Sequence, residues 1–160
     1  MAMYRREAWE AEFAERALAR LESSEQGDWT EDATQDLLTL FALVIVPYER
    51  GLFKHTPDLS RDAMIKAGWP VEDWKWNHEW KIAGSTDLKN DGLLAFLKML
   101  RHALAHAKFE LHGDGAVLNG VHVKNQSTTN GIQGFWVGFE LRTAVRKLAE
   151  VIVRASKTTQ

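Results

Sequence analysis

Three side chains suited to acid–base and phosphate chemistry lie within one short segment, residues 93–111, which reads LLAFLKMLRHALAHAKFEL. Arg101 keeps its charge at any physiological pH and can hold a phosphate through two parallel hydrogen bonds. His102 and His106 titrate near neutral pH, so each can take or give a proton. One imidazole that helps a ribose 2′-hydroxyl attack its own phosphate, beside a guanidinium that stabilises the developing charge, would cleave RNA without a metal ion.

The two histidines also admit other interpretations. His102 and His106 are four residues apart, a spacing that ordinary solvent-exposed residues of a helix share. An HxxxH pair can bind zinc, with His112 or His122 as further ligands, but it lacks the intervening glutamate of zinc peptidases and no third ligand follows at a recognisable spacing. Residue chemistry alone leaves these interpretations open, and we predict neither a bound metal nor a cofactor.

The segment must be an amphipathic helix to position these groups. At about 100° per residue, His102 lies opposite the apolar side, His106 lies one turn further on, and Arg101 projects about 140° from His106. Small residues near the histidines would let the backbone of a second copy approach, which would bring both arginines and all four histidines into one cleft. These small residues are Ala95 and Ala105, whereas the apolar side comprises Leu93, Leu97, Leu100 and Leu104, with Phe96 and Ala107 at its edges.

Helical periodicity predicts most of the remaining chain. The second helix follows a cap at Thr30 or Asp32, is apolar on nearly every face and is expected to be the most buried, with Pro47 ending or kinking it near Val46. A short helix should begin at a Ser60 cap and stop at Gly68. The predicted helices cover residues 4–22, the stretch from the Thr30 or Asp32 cap to residue 46, residues 60–67, the central segment and residues 140–155. The last of these helices has a predicted buried stripe of Leu141, Val145, Leu148, Ala149 and Ile152.

Two or three short antiparallel strands are predicted between the central helix and the last one. Residues 108–111 favour a strand, Asn119-Gly120 is a strong hairpin signal, and Asn130-Gly131 indicates a second turn before a strand at residues 135–139.

Residues 68–90 form a tryptophan-rich excursion that interrupts this pattern. Its rings pin the segment to the core in one interpretation, and form a platform on which bases stack in another. A surface for a protein partner is the third interpretation. The tryptophans concerned are Trp69, Trp74, Trp76 and Trp80.

Composition limits the classes of protein. The chain has 160 residues, 45% of them hydrophobic and 26% charged, which suits one domain over residues 1–160. A net charge of −2 argues against a strongly basic nucleic-acid coat, but allows a local basic site. Without cysteine there is no disulfide, thiolate metal site or cysteine nucleophile. With no secretory signal and no apolar run long enough to span a bilayer, we expect a cytoplasmic protein without membrane association.

The motif RHALAH, residues 101–106, resembles the R-x4-H motif of the HEPN superfamily, which favours a polar residue such as His102 directly after the arginine. The resemblance extends to AHAKFEL after the motif, to FAERALARLE at residues 13–22, and to LVIVPYER at residues 43–50 with its Pro-x-Glu end. A Phe-rich strand running into an LRxxVxxL helix is also similar. Only residues 68–89 do not align with this pattern.

The resemblance implies a mainly α protein, a four- to five-helix up-down bundle with a small antiparallel β insert before the last helix. It implies a homodimer in which the R-x4-H helices face each other and form a composite active site. Many such proteins are metal-independent endoribonucleases that leave 2′,3′-cyclic phosphate ends, often as toxins or defence proteins with an antitoxin partner. Arg101 and His106 would then be catalytic and His102 a polar auxiliary. Other members bind RNA, a nucleotide or a protein partner without catalysis.

Overall fold

Five α-helices and four β-strands follow one another in the computed structural model, which describes residues 9–24, 33–78, 91–114, 117–126 and 130–158. The predicted start of the first helix at Tyr4 and the predicted cap of the second helix at Thr30 or Asp32 lie outside these residues. In chain order the elements are α1 (Trp9–Ser24), α2 (Thr34–Glu49), a short 3-10 helix (Leu52–His55), α3 (Arg61–Lys66), β1 (Lys75–His78), α4 (Leu93–Ala105), β2 (Phe109–Asp114), β3 (Val117–Gln126), β4 (Asn130–Val137) and α5 (Gly138–Thr158).

The four strands form one antiparallel sheet in the order β1-β4-β3-β2. Its inner face carries buried side chains such as Val121 and Trp136, which are register partners, while the alternate residues point outward. The protein is mainly helical, as predicted, but the expectation of a small insert before the last helix is wrong. The sheet is larger, and β1 reaches it from a position before α4.

The Asn-Gly hairpin prediction at residues 119–120 is also wrong, because both residues lie inside β3. Gly120 is needed there for space, since a Cβ at this position would lie 2.7 Å from Cζ of Phe135. The chain instead reverses between Asp114 and Val117, which are register partners. Asn130-Gly131 begins β4 and is not a turn within the described residues.

Helix α5 packs on α1 and α2 and carries the main helical part of the core. Its predicted stripe is confirmed, because all five predicted residues are buried. A buried carboxylate joins the three helices: Asp36 accepts hydrogen bonds from Arg20 at 2.6 Å and from Arg142 at 3.2 Å. The two positively charged guanidinium groups offset the desolvation cost of burying this carboxylate.

Helix α2 differs from its prediction at its end and in its burial. It continues through Pro47 to Glu49, because a proline so close to the end removes a single helical hydrogen bond and the next turn still closes through Arg50 N–H and Val46 C=O at 3.1 Å. It is not the most buried helix: seven of its 16 residues are buried, against eight of 13 in α4. Leu38, which is 54% exposed, lies on the side that no element covers among the described residues.

The ends of α3 follow the predicted signals. The Ser60 hydroxyl accepts a hydrogen bond from Ala63 N–H at 3.2 Å, so Ser60 caps the helix. Gly68 adopts a φ of 83°, the left-handed conformation that glycine tolerates after a helix.

The described tryptophans of the excursion belong to the core. Trp69, Trp74 and Trp76 are buried around Phe96, with ring centroids 5.1 to 6.4 Å from that ring. Trp74 also contacts Trp136 at 4.3 Å. The interpretation of a base-stacking platform is therefore wrong for these three rings, while Trp80 lies outside the described residues.

Candidate active site at the end of α4

The R-x4-H motif occupies the last turn of α4 and its cap. The helix ends at Ala105, His106 is the C-cap, and Ala107 takes a left-handed φ of 52°. Two hydrogen bonds close this end, from Lys108 N–H to Ala103 C=O at 2.8 Å and from Ala107 N–H to Leu104 C=O at 3.2 Å. This is a Schellman motif with alanine in the position that usually holds glycine. The position of His106 is thus fixed by the backbone hydrogen bonds that close the helix, and His106 is not part of a continuing helix.

The wheel prediction for α4 is confirmed for its four leucines and Phe96, but it is wrong for Ala107, which is exposed beyond the helix end, and for Ala95. Leu93, Leu97, Leu100 and Leu104 are all buried, and Phe96 is buried with them. Ala95, predicted near the histidines on an open face, is 2% exposed because α4 also packs against β1. The residues left open at the end of the helix are His102, Ala105, His106 and Ala107.

The two imidazoles of the motif lie against each other. The ring centroids of His102 and His106 are 4.4 Å apart, and the rings are tilted by 53°. Partial burial lowers the pKa of His102, and the neighbouring His106, Arg101 and Lys98 lower it further. A lowered pKa favours the neutral form of His102, in which one ring nitrogen can accept a proton or a hydrogen bond.

Arg101 projects toward the end of α2. It forms an ion pair with Glu49, and its guanidinium carbon lies 5.8 Å from the centroid of the Tyr48 ring. Its Nε is buried and has no hydrogen-bond partner among the described residues. Burial raises the pKa of Tyr48, and the charge of Arg101 partly offsets this rise. The guanidinium therefore already has an anionic neighbour, which any phosphate would have to displace or share.

A cleft of about 300 Å³ opens beside Arg101 and His102. His78 lies in it as a buried strand residue, and its Nδ1 is 2.7 Å from Oδ1 of Asn130. Burial and the charge of Lys98 lower the pKa of His78, and the hydrogen bond with Asn130 opposes this. His106 is not part of the wall. The cleft is lined by Tyr48, His78, Lys98, Met99, Arg101, His102, Asn125 and Asn130.

Several of these residues carry no sequence signal that assigns them to this cleft. Glu49 is the glutamate of the Pro-x-Glu end of LVIVPYER, a pattern that by itself indicates no contact with Arg101. His78 and Asn130 meet because β1 pairs with β4, a pairing that the sequence did not predict. Conversely, His112 and His122, considered as partners of the HxxxH pair, lie on β2 and β3 beside Glu110.

Comparison with known proteins identifies the class. A family model described as HEPN pEK499 p136 matches residues 1–159, so the chain belongs to this HEPN family. No curated protein and no solved structure matches the chain. Within the described residues, no helix is both long and apolar enough to cross a membrane. Family membership makes the chain a HEPN module, and its chemistry has to be argued from the site.

Proposed function

We propose that the chain is a metal-independent HEPN endoribonuclease that acts as a homodimer with a composite active site. The observation that carries this proposal is the joint placement of Arg101, His102 and His106 at one helix end. The guanidinium lies beside a cleft, and the two imidazoles are in contact with each other. The presence of both the arginine and the histidine of the R-x4-H motif, Arg101 and His106, favours catalysis over binding alone.

Each group has a defined task in the proposed reaction. His106 takes the proton of a ribose 2′-hydroxyl, whose oxygen attacks the adjacent phosphorus. Arg101 donates hydrogen bonds to the phosphate oxygens on which charge develops. The bond from phosphorus to the 5′-oxygen breaks, and that oxygen takes a proton from an imidazolium, so the products are a 2′,3′-cyclic phosphate and a 5′-hydroxyl. His102 contacts the His106 ring and serves as a polar auxiliary.

Charge around the cleft supports an anionic substrate. Lys98 and Arg101 both line it, and Asn125 and Asn130 add amide groups that can contact a phosphate or a base. The net charge of the whole chain is slightly negative, so the affinity for RNA would come from this local cationic site.

A homodimer would complete the site that one copy leaves open. One end of α4 offers one guanidinium and two imidazoles that contact each other, whereas the reaction needs a base for the 2′-hydroxyl and an acid for the leaving oxygen at separate positions. The small exposed Ala105, one residue before His106, leaves room for the backbone of a second copy. Two-fold packing of these helix ends would bring both guanidinium groups and all four imidazoles into one cleft, so that Arg101 of one copy can act with His106 of the other.

A cytoplasmic toxin or defence ribonuclease is the biological role that we propose, and an antitoxin protein would be its partner. Expression of the wild-type chain should then slow bacterial growth, and His106→Ala should relieve this effect. Equal growth with both proteins would exclude a toxic role under those conditions.

The test of catalysis is cleavage of a single-stranded RNA in EDTA with analysis of the ends. We expect 2′,3′-cyclic phosphate ends, and a loss of about 10²- to 10⁴-fold in rate for His106→Ala. Arg101→Ala should also lose activity, whereas Arg16→Ala, which removes an exposed guanidinium from α1, should retain it. Undiminished cleavage by His106→Ala would refute the role of that histidine.

A non-catalytic HEPN module that binds RNA, a nucleotide or a protein is the second candidate function. The ion pair between Arg101 and Glu49 favours it, because the guanidinium is already neutralised in the single copy. This function requires binding without turnover, and ribonuclease activity of purified wild-type protein would exclude it as the only function.

A further inference from the structure

Glu110, His112 and His122 converge on the outer face of the sheet, away from the helix that carries the R-x4-H motif. Glu110 on β2 is the register partner of His122 on β3, and His112 is two residues further along β2, on the same face. One ligand atom from each of the three lies within 4.8 Å of the others. Oε2 of Glu110 lies 4.0 Å from Nδ1 of His122. No other trio of such groups meets this distance within the described residues.

The Phe135 ring packs against both imidazoles. Phe135 on β4 is the register partner of His122, and its ring centroid lies 5.1 Å from that of His112 and 6.4 Å from that of His122. It reaches His112 across Gly120, where any side chain would collide with it. The Phe135 ring thus covers one side of the cluster and gives both imidazoles an apolar neighbour.

We propose that Glu110, His112 and His122 bind one divalent transition metal ion, Zn²⁺ in particular. Two imidazole nitrogens and one carboxylate oxygen form the donor set of three-ligand zinc sites, with metal–ligand distances of about 2.0 to 2.2 Å. Nitrogen donors disfavour Ca²⁺ and Mg²⁺, which prefer oxygen ligands. A water molecule would complete a tetrahedral ion and leave one exchangeable position.

Small side-chain rotations suffice to form the site. Tetrahedral geometry at such bond lengths requires ligand atoms about 3.4 Å apart. The Glu110 side chain is 79% exposed and His112 is exposed, so both can rotate toward His122 without disturbing the core. The backbone positions are already set by the pairing of β2 with β3.

This site is separate from the proposed RNA chemistry. Its three ligands belong to strands β2 and β3, whereas Arg101, His102 and His106 belong to α4 and its cap. Zn²⁺ here would join the edge strand β2 to its neighbour and stabilise the folded state, because the unfolded chain does not hold the three ligands together.

Isothermal titration of untagged, full-length protein with Zn²⁺ tests the proposal. We expect one ion per chain, and at least a tenfold loss of affinity in His112→Ala and in His122→Ala, as removal of a direct ligand should cost no less than removal of an outer-shell partner. The control is the double variant His102→Ala with His106→Ala, which should bind Zn²⁺ as the wild type does. Far-UV circular dichroism verifies that each variant is folded.

Three results would overturn the proposal: no binding by the wild type, unchanged binding by His112→Ala and His122→Ala, or loss of binding in the control. The last result would move the metal to the HxxxH pair of α4. Because the titration contains no RNA and the cleavage test is run in EDTA, failure of either proposal leaves the other one intact.

Discussion

At the scale of single residues, the environment of Arg101 decides what the site can bind. Its guanidinium contacts Glu49 and lies beside Tyr48, both from the last turn of α2. Glu49 is largely exposed, so this ion pair contributes little to stability. In the proposed reaction, the Glu49 carboxylate would compete with the RNA phosphate for the same donors of Arg101.

Glu49→Gln should therefore strengthen RNA binding, by up to about fivefold. The substitution removes the competing charge and keeps the size of the side chain. Fluorescence anisotropy with a labelled RNA measures it, in the His106→Ala background to prevent cleavage. The matched control is Glu12→Gln, which loses the similar pair with Arg16 on α1. Unchanged or weaker binding in Glu49→Gln would show that Glu49 positions Arg101 instead.

His78 makes stability depend on pH. Its pKa is lowered, chiefly by burial, whereas the unfolded chain titrates at about 6.5. The unfolded state therefore binds the proton first, and the free energy of unfolding should fall as the pH drops below about 6.5. His78→Gln should flatten this fall in part, since His102 shifts in the same direction. Urea denaturation followed by far-UV circular dichroism at pH 7.5, 6.5 and 5.5 measures the dependence, and equal slopes would contradict the assignment.

At the scale of elements, the end of α4 depends on an unfavourable conformation at Ala107. The left-handed conformation costs a non-glycine residue about 1–2 kcal/mol of folding free energy. Glycine avoids this cost, but it increases the conformational entropy of the unfolded chain and so loses part of the gain. Ala107→Gly should thus stabilise the protein by roughly 0.5–1 kcal/mol. Chemical denaturation measures the change.

Ala105→Gly is the matched control for this prediction. Ala105 is exposed and helical, so glycine there should destabilise by roughly 0.5–1 kcal/mol. If both glycines destabilise equally, Ala107 does not hold the left-handed conformation in solution.

Elements held together by local interactions were predictable, and those held by distant partners were not. The apolar stripes of α4 and α5 follow from their own periodicity. Strand β1 exists because Lys75 pairs with Gln133, nearly sixty residues further along the chain. No local pattern encodes such a pairing, and the Asn-Gly signal in β3 misled because Gly120 serves the packing of Phe135.

The candidate site also has a part that local sequence predicts and a part that depends on contacts between distant elements. Arg101, His102 and His106 were found because they share one helix. Glu49, His78 and Lys98 complete the surroundings through contacts between elements. Lys98 is on the same helix, but its importance depends on the cleft that β1 and β4 close.

At the scale of the whole molecule, the homodimer proposal predicts complementation between inactive variants. A heterodimer of one Arg101→Ala copy and one His106→Ala copy would keep one intact Arg–His combination across the two-fold axis. Mixing the two unfolded variants and refolding them together should restore part of the cleavage activity. The controls are each variant refolded alone, which should stay inactive. Restoration would fail if each site used both groups from the same copy, and light scattering that shows a monomer would remove the composite site altogether.

The contact between Trp74 and Trp136 gives the protein a spectroscopic reporter. Their ring centroids are 4.3 Å apart at a tilt of 38°, so the indole transitions couple as excitons. One ring comes from the segment before β1 and the other from β4, hence the exciton signal depends on the sheet being assembled. This signal should vanish when the core unfolds but persist when only the end of α4 opens, so it would distinguish global unfolding from local motion at the R-x4-H motif without an added label.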